Sequence, residues 1–293
     1  MDVAKQQSQA WADRYWTSRD GLTLHYRDYP GPSDRPPLLM LHGLTRNSRD
    51  FEHVAAPYAG VWGIIAVDFR GRGMSEHDPN SARYMPATYA GDVIQLLDEL
   101  QIDKAVFLGT SLGGLVTMIV ASVAPERIAG VVLNDVGPEL DLSGIDRIKT
   151  YVGKPVVFRD WDEVADTLQE RTGDVHPRYG RAEWLRFAKR ICRQTARGVE
   201  FDYDMAIADP FNAGNTGEVS DGWPYYRVLA GRPILVLRGE TSDLLSDAAA
   251  QRMAMEIPDV EVVTVPRVGH APDLDEPEAI DAIDRLLERV LKR

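Results

Sequence analysis

Residues 106–115 read VFLGTSLGGL. A single serine, Ser111, stands there between an apolar run that leads in and a second, LVTMIVASVA, that leads out. Gly109 lies two positions before it and Gly113 two after. A strand-length run of Val, Phe and Leu followed by a helix-length apolar segment spells strand, sharp turn, helix. The segment after Ser111 is apolar nearly all round as far as Pro125, the mark of a helix buried on every side. Side chains two residues either side of a nucleophile in so tight a bend would collide, so both positions call for glycine. The turn exposes the Ser111 hydroxyl. The helix behind it turns its first N–H groups and positive dipole end toward the serine, where they favour a developing oxyanion.

Working outward, similar runs recur at 37–43, 61–69, 104–110, 128–135, 233–239 and 260–266. Each is strand-length, rich in Val, Ile or Leu, and lacks polar alternation, so each reads as a parallel strand buried on both faces. Helical spacing fills the intervals. It places Tyr89, Val93, Leu96, Leu97 and Leu100 on one face of 86–101, and Ile280, Ile283, Leu287 and Val290 on one face of 277–291. Strands alternating with helices predict an α/β fold, a mostly parallel central sheet with helices on both faces. The stretch RYWTSRDGLTLHYRDYPG, 14–31, alternates and contains Asp20-Gly21, which predicts an antiparallel hairpin on the sheet edge.

One region breaks the alternation. Between about Glu139 and Ala230 helical segments and loops replace the buried strands. The expected organisation is a core of residues 1–138 and 231–293 carrying a helical cap at 139–230. Trp161, Trp184, Phe187, Phe211, Trp223, Tyr225 and Tyr226 supply its aromatic surface, and most of them are expected to form the cap's own core. Which cap residues bind substrate is not legible from the sequence.

Composition narrows the function. A net charge of −12 argues against nucleic acid and anionic membrane surfaces as partners, since both need a basic face. The one cysteine, Cys192, excludes an internal disulfide and falls in a helical pattern, where it reads as a small buried hydrophobe. The N-terminal MDVAKQQSQAWADRYW lacks the apolar core of a signal peptide, and no apolar run is long enough for a membrane span. The simplest expectation is a cytoplasmic protein.

A serine nucleophile needs a base, and the base needs an orienting acid. Of six histidines, His270 follows the last predicted strand, at the sheet end where ligands bind. His25, His53, His77 and His176 lie in edge, surface or cap contexts, and His42 reads as a structural hydrogen-bonder. For the acid, Asp243 lies just past the strand at 233–239 and gives the chain order Ser111, Asp243, His270. Asp135, which also ends a strand, is the alternative. The backbone N–H groups of Leu112 and Leu44 are the expected oxyanion donors, with Gly43 letting the second loop approach substrate.

The segments LHGLT, VDFRGRGMSE, GTSLGG, GETSD and VGHAPDLDEP occur in this order. Together they resemble the α/β-hydrolase superfamily over nearly the whole chain outside the insertion. The resemblance implies a Ser-Asp-His hydrolase that needs no metal or cofactor and acts on a small ester-like molecule. It also implies that Asp68 and the residues from Arg70 to Ser75 form a structural loop. A serine at the elbow, rather than the aspartate of dehalogenases and epoxide hydrolases, points to acyl transfer, with carboxylic ester or lactone cleavage first. Carbon–carbon bond hydrolysis, as in the meta-cleavage-product hydrolases, is the alternative, although those place Trp after the histidine where this chain has Ala271. Aminopeptidase and enol-lactonase relatives share the plan. A ligand-binding receptor on the same fold is the non-enzymatic alternative.

Overall fold

The computed structural model describes residues 10–213 and 221–293. Most of the N-terminal stretch read above, and the middle of the loop DPFNAGNTGEVSDGWP, lie outside the described residues. Among the described residues the eleven strands are β1 (Ala12–Thr17), β2 (Thr23–Tyr29), β3 (Leu38–Leu41), β4 (Ile64–Asp68), β5 (Ala105–Thr110), β6 (Ile128–Asn134), β7 (Val157–Phe158), β8 (Cys192–Thr195), β9 (Gly198–Phe201), β10 (Ile234–Gly239) and β11 (Val260–Val265). The helices are α1 (Glu52–Ala55), α2 (Pro86–Glu99), α3 (Leu112–Val123), α4 (Leu142–Lys149), α5 (Trp161–Thr172), α6 (Arg181–Ile191), α7 (Ala208–Asn212), α8 (Trp223–Arg227), α9 (Asp247–Glu256) and α10 (Pro277–Leu291).

Eight strands form one sheet in the order β1-β2-β4-β3-β5-β6-β10-β11. The pairs from β4 to β11 are parallel, while β1 and β2 form an antiparallel hairpin at one edge. Gly21 closes that hairpin at φ +90°, a conformation that glycine adopts without a Cβ clash. The sheet is mostly parallel because each inner strand is apolar on both sides and needs a cover on both. All residues of β3, β4 and β10 are buried. Two apolar clusters flank it. One contains α2 and α3 residues such as Leu96, Leu97 and Val116. The other contains α10 residues Ile283, Leu286, Leu287 and Val290. Burial of each such side chain contributes about 1.5–3 kcal/mol. Both α2 and α10 begin with proline, whose fixed φ and missing N–H suit the first helical turn.

The insertion between β6 and β10 differs from its expected all-helical form. Beside its helices it holds a small antiparallel sheet, β7-β9-β8. These strands are two to four residues long, too short to show a period in sequence. Cys192 is consequently the first residue of β8 rather than part of a helix. It is buried as expected, and burial pushes its thiol up to about 12, which keeps it unreactive. The insertion's outer half has its own apolar cluster, including Phe158, Leu168, Trp184 and Phe187. Its inner parts do not stand apart. Ile148, Val152, Trp223 and Tyr226 pack into the main core instead. None of the helices among the described residues is long and apolar enough to cross a membrane.

Candidate active site

The turn from β5 into α3 places Ser111 at φ 50°, ψ −113°, a strained conformation for a residue with a side chain. A Cβ on Gly109 would stand 2.5 Å from the Gly113 backbone, and one on Gly113 would stand 2.0 Å from the Leu41 carbonyl oxygen. The two glycines are therefore required by the approach of strand, helix and neighbouring strand.

Ser111 Oγ lies 3.0 Å from His270 Nε2, and His270 Nδ1 lies 2.7 Å from Asp135 Oδ2. Asp135 sits just past β6, fully buried, at φ 54°. Its carboxylate also accepts from the Gly239 N–H at 2.8 Å and from the Ser242 hydroxyl at 2.6 Å. An acid so held fixes the imidazole with its proton on Nδ1 and leaves Nε2 to accept from serine.

Asp243, expected in that place, is elsewhere. Its carboxylate takes the Arg147 fork, with Nε at 2.5 Å and Nη2 at 2.9 Å. The Arg147 guanidinium holds the Asp243 carboxyl below the usual carboxylate range. The reason is local. The Asp135 carboxylate already takes the Nδ1 position, and Ser242, one residue before Asp243, donates to Asp135. The turn carries Asp243 on to α4, where Ser143 Oγ donates to its carbonyl at 3.2 Å and a Cβ on Gly144 would stand 2.6 Å from that oxygen.

The loop after β3 runs past the serine. A Cβ on Gly43 would stand 3.8 Å from the Ser111 Cβ. Buried Arg72 pins this loop by donating from Nε to the Leu44 carbonyl at 3.0 Å. The N–H groups of Leu44 and Leu112 meet no protein acceptor among the described residues, as an oxyanion requires. His42 is no base. Its Nδ1–H donates to the Gly43 carbonyl at 2.7 Å, and its Nε2 accepts from the Phe69 N–H at 3.1 Å. Burial drives its pKa down to about 4, so the ring stays neutral. Asp68 accepts from His25 Nδ1 and from the N–H groups of Ser48 and Met74, and so braces the loop from Arg70 to Ser75.

Ser111 and His270 open onto a cavity of about 650 Å³ between the sheet's C-terminal end and the insertion. Of the seven aromatic residues singled out in the insertion, Phe187 lines it. Trp184 is buried in the insertion's own cluster, and Trp223 and Tyr226 in the main core. Sequence reasoning missed the charged lining. Arg46, two residues past Leu44, is clamped by Asp50 at 2.5 and 2.9 Å and stacks 4.4 Å over the Phe187 ring. Arg147 comes from α4 and Tyr151 from the turn just past it. Asp273 follows His270 by three residues and meets Arg190 Nη2 at 3.0 Å. Burial, only partly offset by Arg46, pushes the Asp273 carboxyl well above the usual range. Only the closeness of Arg46 to LHGLT was available as a signal. Among the described residues no group of three or more His, Cys, Asp or Glu side chains is arranged to hold a metal ion.

Residues 38–283 match the alpha/beta hydrolase family, and the chain belongs to it. It is 33% identical over 263 residues to 3-hydroxybutyrate-oligomer hydrolase of Cupriavidus necator, covering 87% of this chain and 89% of that one. It is 30% identical over 250 residues to 2-(acetamidomethylene)succinate hydrolase of Mesorhizobium japonicum, covering 85% of each. A crystal structure of an alpha/beta hydrolase from Novosphingobium aromaticivorans superposes with a TM-score of 0.92 at 52% identity, covering 96% of this chain and 99% of that one. These relatives are hydrolases.

Proposed function

We propose that the protein is a carboxylic ester hydrolase, acting on esters or lactones through an acyl-enzyme on Ser111. The observation that carries this reading is the hydrogen-bonded chain from Ser111 through His270 to Asp135, facing a cavity of about 650 Å³. Ser111 Oγ attacks the carbonyl carbon while His270 Nε2 takes its proton. The Leu44 and Leu112 N–H groups receive the negative oxygen. The tetrahedral intermediate collapses, and His270 gives its proton to the departing alkoxide. Water, deprotonated by the same nitrogen, then releases the acid. Asp135 keeps the imidazole oriented and stabilises its charged form. Residues 139–230 act as the lid, with α4 and α6 contributing Arg147 and Phe187 to the cavity wall.

The relatives support this reading. An oligomer of 3-hydroxybutyrate is joined by ester bonds, and its hydrolase matches this chain over 87% of its length. The lack of an internal disulfide is in keeping with a cytoplasmic site of action. The test is labelling with a fluorophosphonate, followed by peptide mapping, beside hydrolysis of a short-chain ester panel. The expected adduct is on Ser111, with ester turnover. Absence of both, in folded protein, would favour the receptor reading.

A further inference from the structure

The chain carries a net charge of −12, yet its cavity wall is cationic. Arg46, Arg147, Lys154 and Arg171 line it, against the carboxyls of Asp50 and Asp273. Asp273 is the group whose burial favours its neutral form. Lys154 and Arg171 have no carboxylate within ion-pair distance among the described residues. An acidic protein repels anions over most of its surface, so a basic cleft beside the nucleophile is a local reversal.

Arg147 is the best-placed of these cations. Its Nε and Nη2 engage Asp243, and the Tyr151 hydroxyl stands within hydrogen-bonding reach of the same guanidinium. The guanidinium is thereby oriented on the cavity wall with a phenol hydroxyl beside it. Tyr151 lies beside it, within electrostatic reach of both Arg147 and Arg46. Asp243 therefore has a role although it does not touch His270. It fixes a cation on the cavity wall, and the close packing of Gly144 on its carbonyl holds α4 in register. The remaining wall, including Ile148, Val156, Leu168 and Phe187, is apolar.

We propose that the substrate is an acyl compound with a free carboxylate beyond an apolar spacer, and that Arg147, positioned by Asp243, binds that carboxylate. This rests on the ester-hydrolase reading above and deepens it. A fixed guanidinium and a phenol hydroxyl side by side suit a carboxylate, and the part-buried setting strengthens the pairing.

The test uses the monoethyl esters of succinic, glutaric and adipic acids, each against its diethyl ester. At least one half-ester is expected to exceed its diester about tenfold or more in kcat/KM. The preference should shrink at about 1 M salt, where the screening length falls to about 3 Å. Arg147→Met should raise KM for the half-ester about ten- to a hundredfold, as expected when a hydrogen bond to a charged group is lost. Arg147→Lys, which keeps the charge without the fork, should recover part of the preference. Asp243→Asn should raise that KM several-fold while kcat falls less than tenfold, a split that a general loss of fold would not give. If every half-ester is cleaved no faster than its diester, or Arg147→Met leaves the ratio in place, the proposal fails while the hydrolase reading stands. If none of the six esters is cleaved, the hydrolase reading fails. Calorimetry of the half-esters with Ser111→Ala then decides the proposal. Binding that Arg147→Met abolishes supports it, and absence of binding overturns it.

Discussion

Two strand ends in this molecule carry an aspartate near His270. Asp135 follows β6 and Asp243 lies four residues beyond β10. Asp135 is fully buried, receives donors from Gly239, Ser242 and His270, and adopts a left-handed backbone conformation that turns its carboxylate under the imidazole. The side chain of Asp243 is about one-third exposed and faces Arg147 across from the insertion. The difference shows that position at a strand end does not assign a role. What assigns it is which donors surround the carboxylate. One aspartate faces His270, and the other faces Arg147 on the cavity wall.

The largest effect expected is at Ser111, the proposed nucleophile. Ser111→Ala should lower kcat by about 10⁶, since members of a serine triad act as a unit. Ester turnover within about tenfold of the parent would remove Ser111 from the mechanism. The contrast between the aspartates comes next. Asp135→Asn should cost on the order of 10⁴ in kcat, because the amide no longer holds His270 in the acceptor tautomer. Asp243→Asn should cost less than tenfold. A severe Asp243→Asn beside a mild Asp135→Asn would reverse the two assignments.

A smaller effect lies between them in the chain. Ser242→Ala removes the hydroxyl that donates to Asp135 Oδ2 at 2.6 Å. Losing a hydrogen bond to a charged group costs about 1.5–3 kcal/mol where none replaces it. The expected outcome is a fall in kcat of about tenfold or more with KM little changed. An unchanged kcat would mean that Gly239 alone suffices to hold the carboxylate.

The central sheet was readable because its strands are buried on both faces and show as unbroken apolar runs. The predicted runs at 104–110 and 128–135 contain Ala105–Thr110 and Ile128–Asn134 almost to the residue. Gly109, Ser111 and Gly113 were readable because steric demand in a tight turn is local. The choice of acid was not. Asp135 and Asp243 both follow apolar strands, and what separates them is Arg147, which comes 96 positions before Asp243. The same holds for the cavity wall, where Arg46 from the β3 loop meets Phe187 from α6. The short strands of the insertion were invisible for another reason. Val157–Phe158 is two residues long, and no periodicity exists over two residues.

The smallest effect extends the comparison from carboxylates to histidines. His270 has a carboxylate on Nδ1, but His176, on the same cavity, feels Arg46, Arg190 and Arg178 against the opposing charge of Asp50. It is buried and stacks on Tyr179 at 4.6 Å. Burial first, and these arginines second, depress its pKa to about 3. In the unfolded chain a histidine titrates near about 6.5. Below that value the unfolded state takes up a proton that the native ring refuses, so this site's contribution to stability falls with falling pH and levels off below about 3. At pH 5 the difference amounts to about 2 kcal/mol. His176→Phe keeps an aromatic ring and removes the titration. Denaturant unfolding at pH 8 and pH 5 should show the variant losing about 2 kcal/mol less than the parent over that interval. Equal losses in the two proteins would mean that His176 is protonated in the folded state, and the cavity wall would then carry one more positive charge in acid.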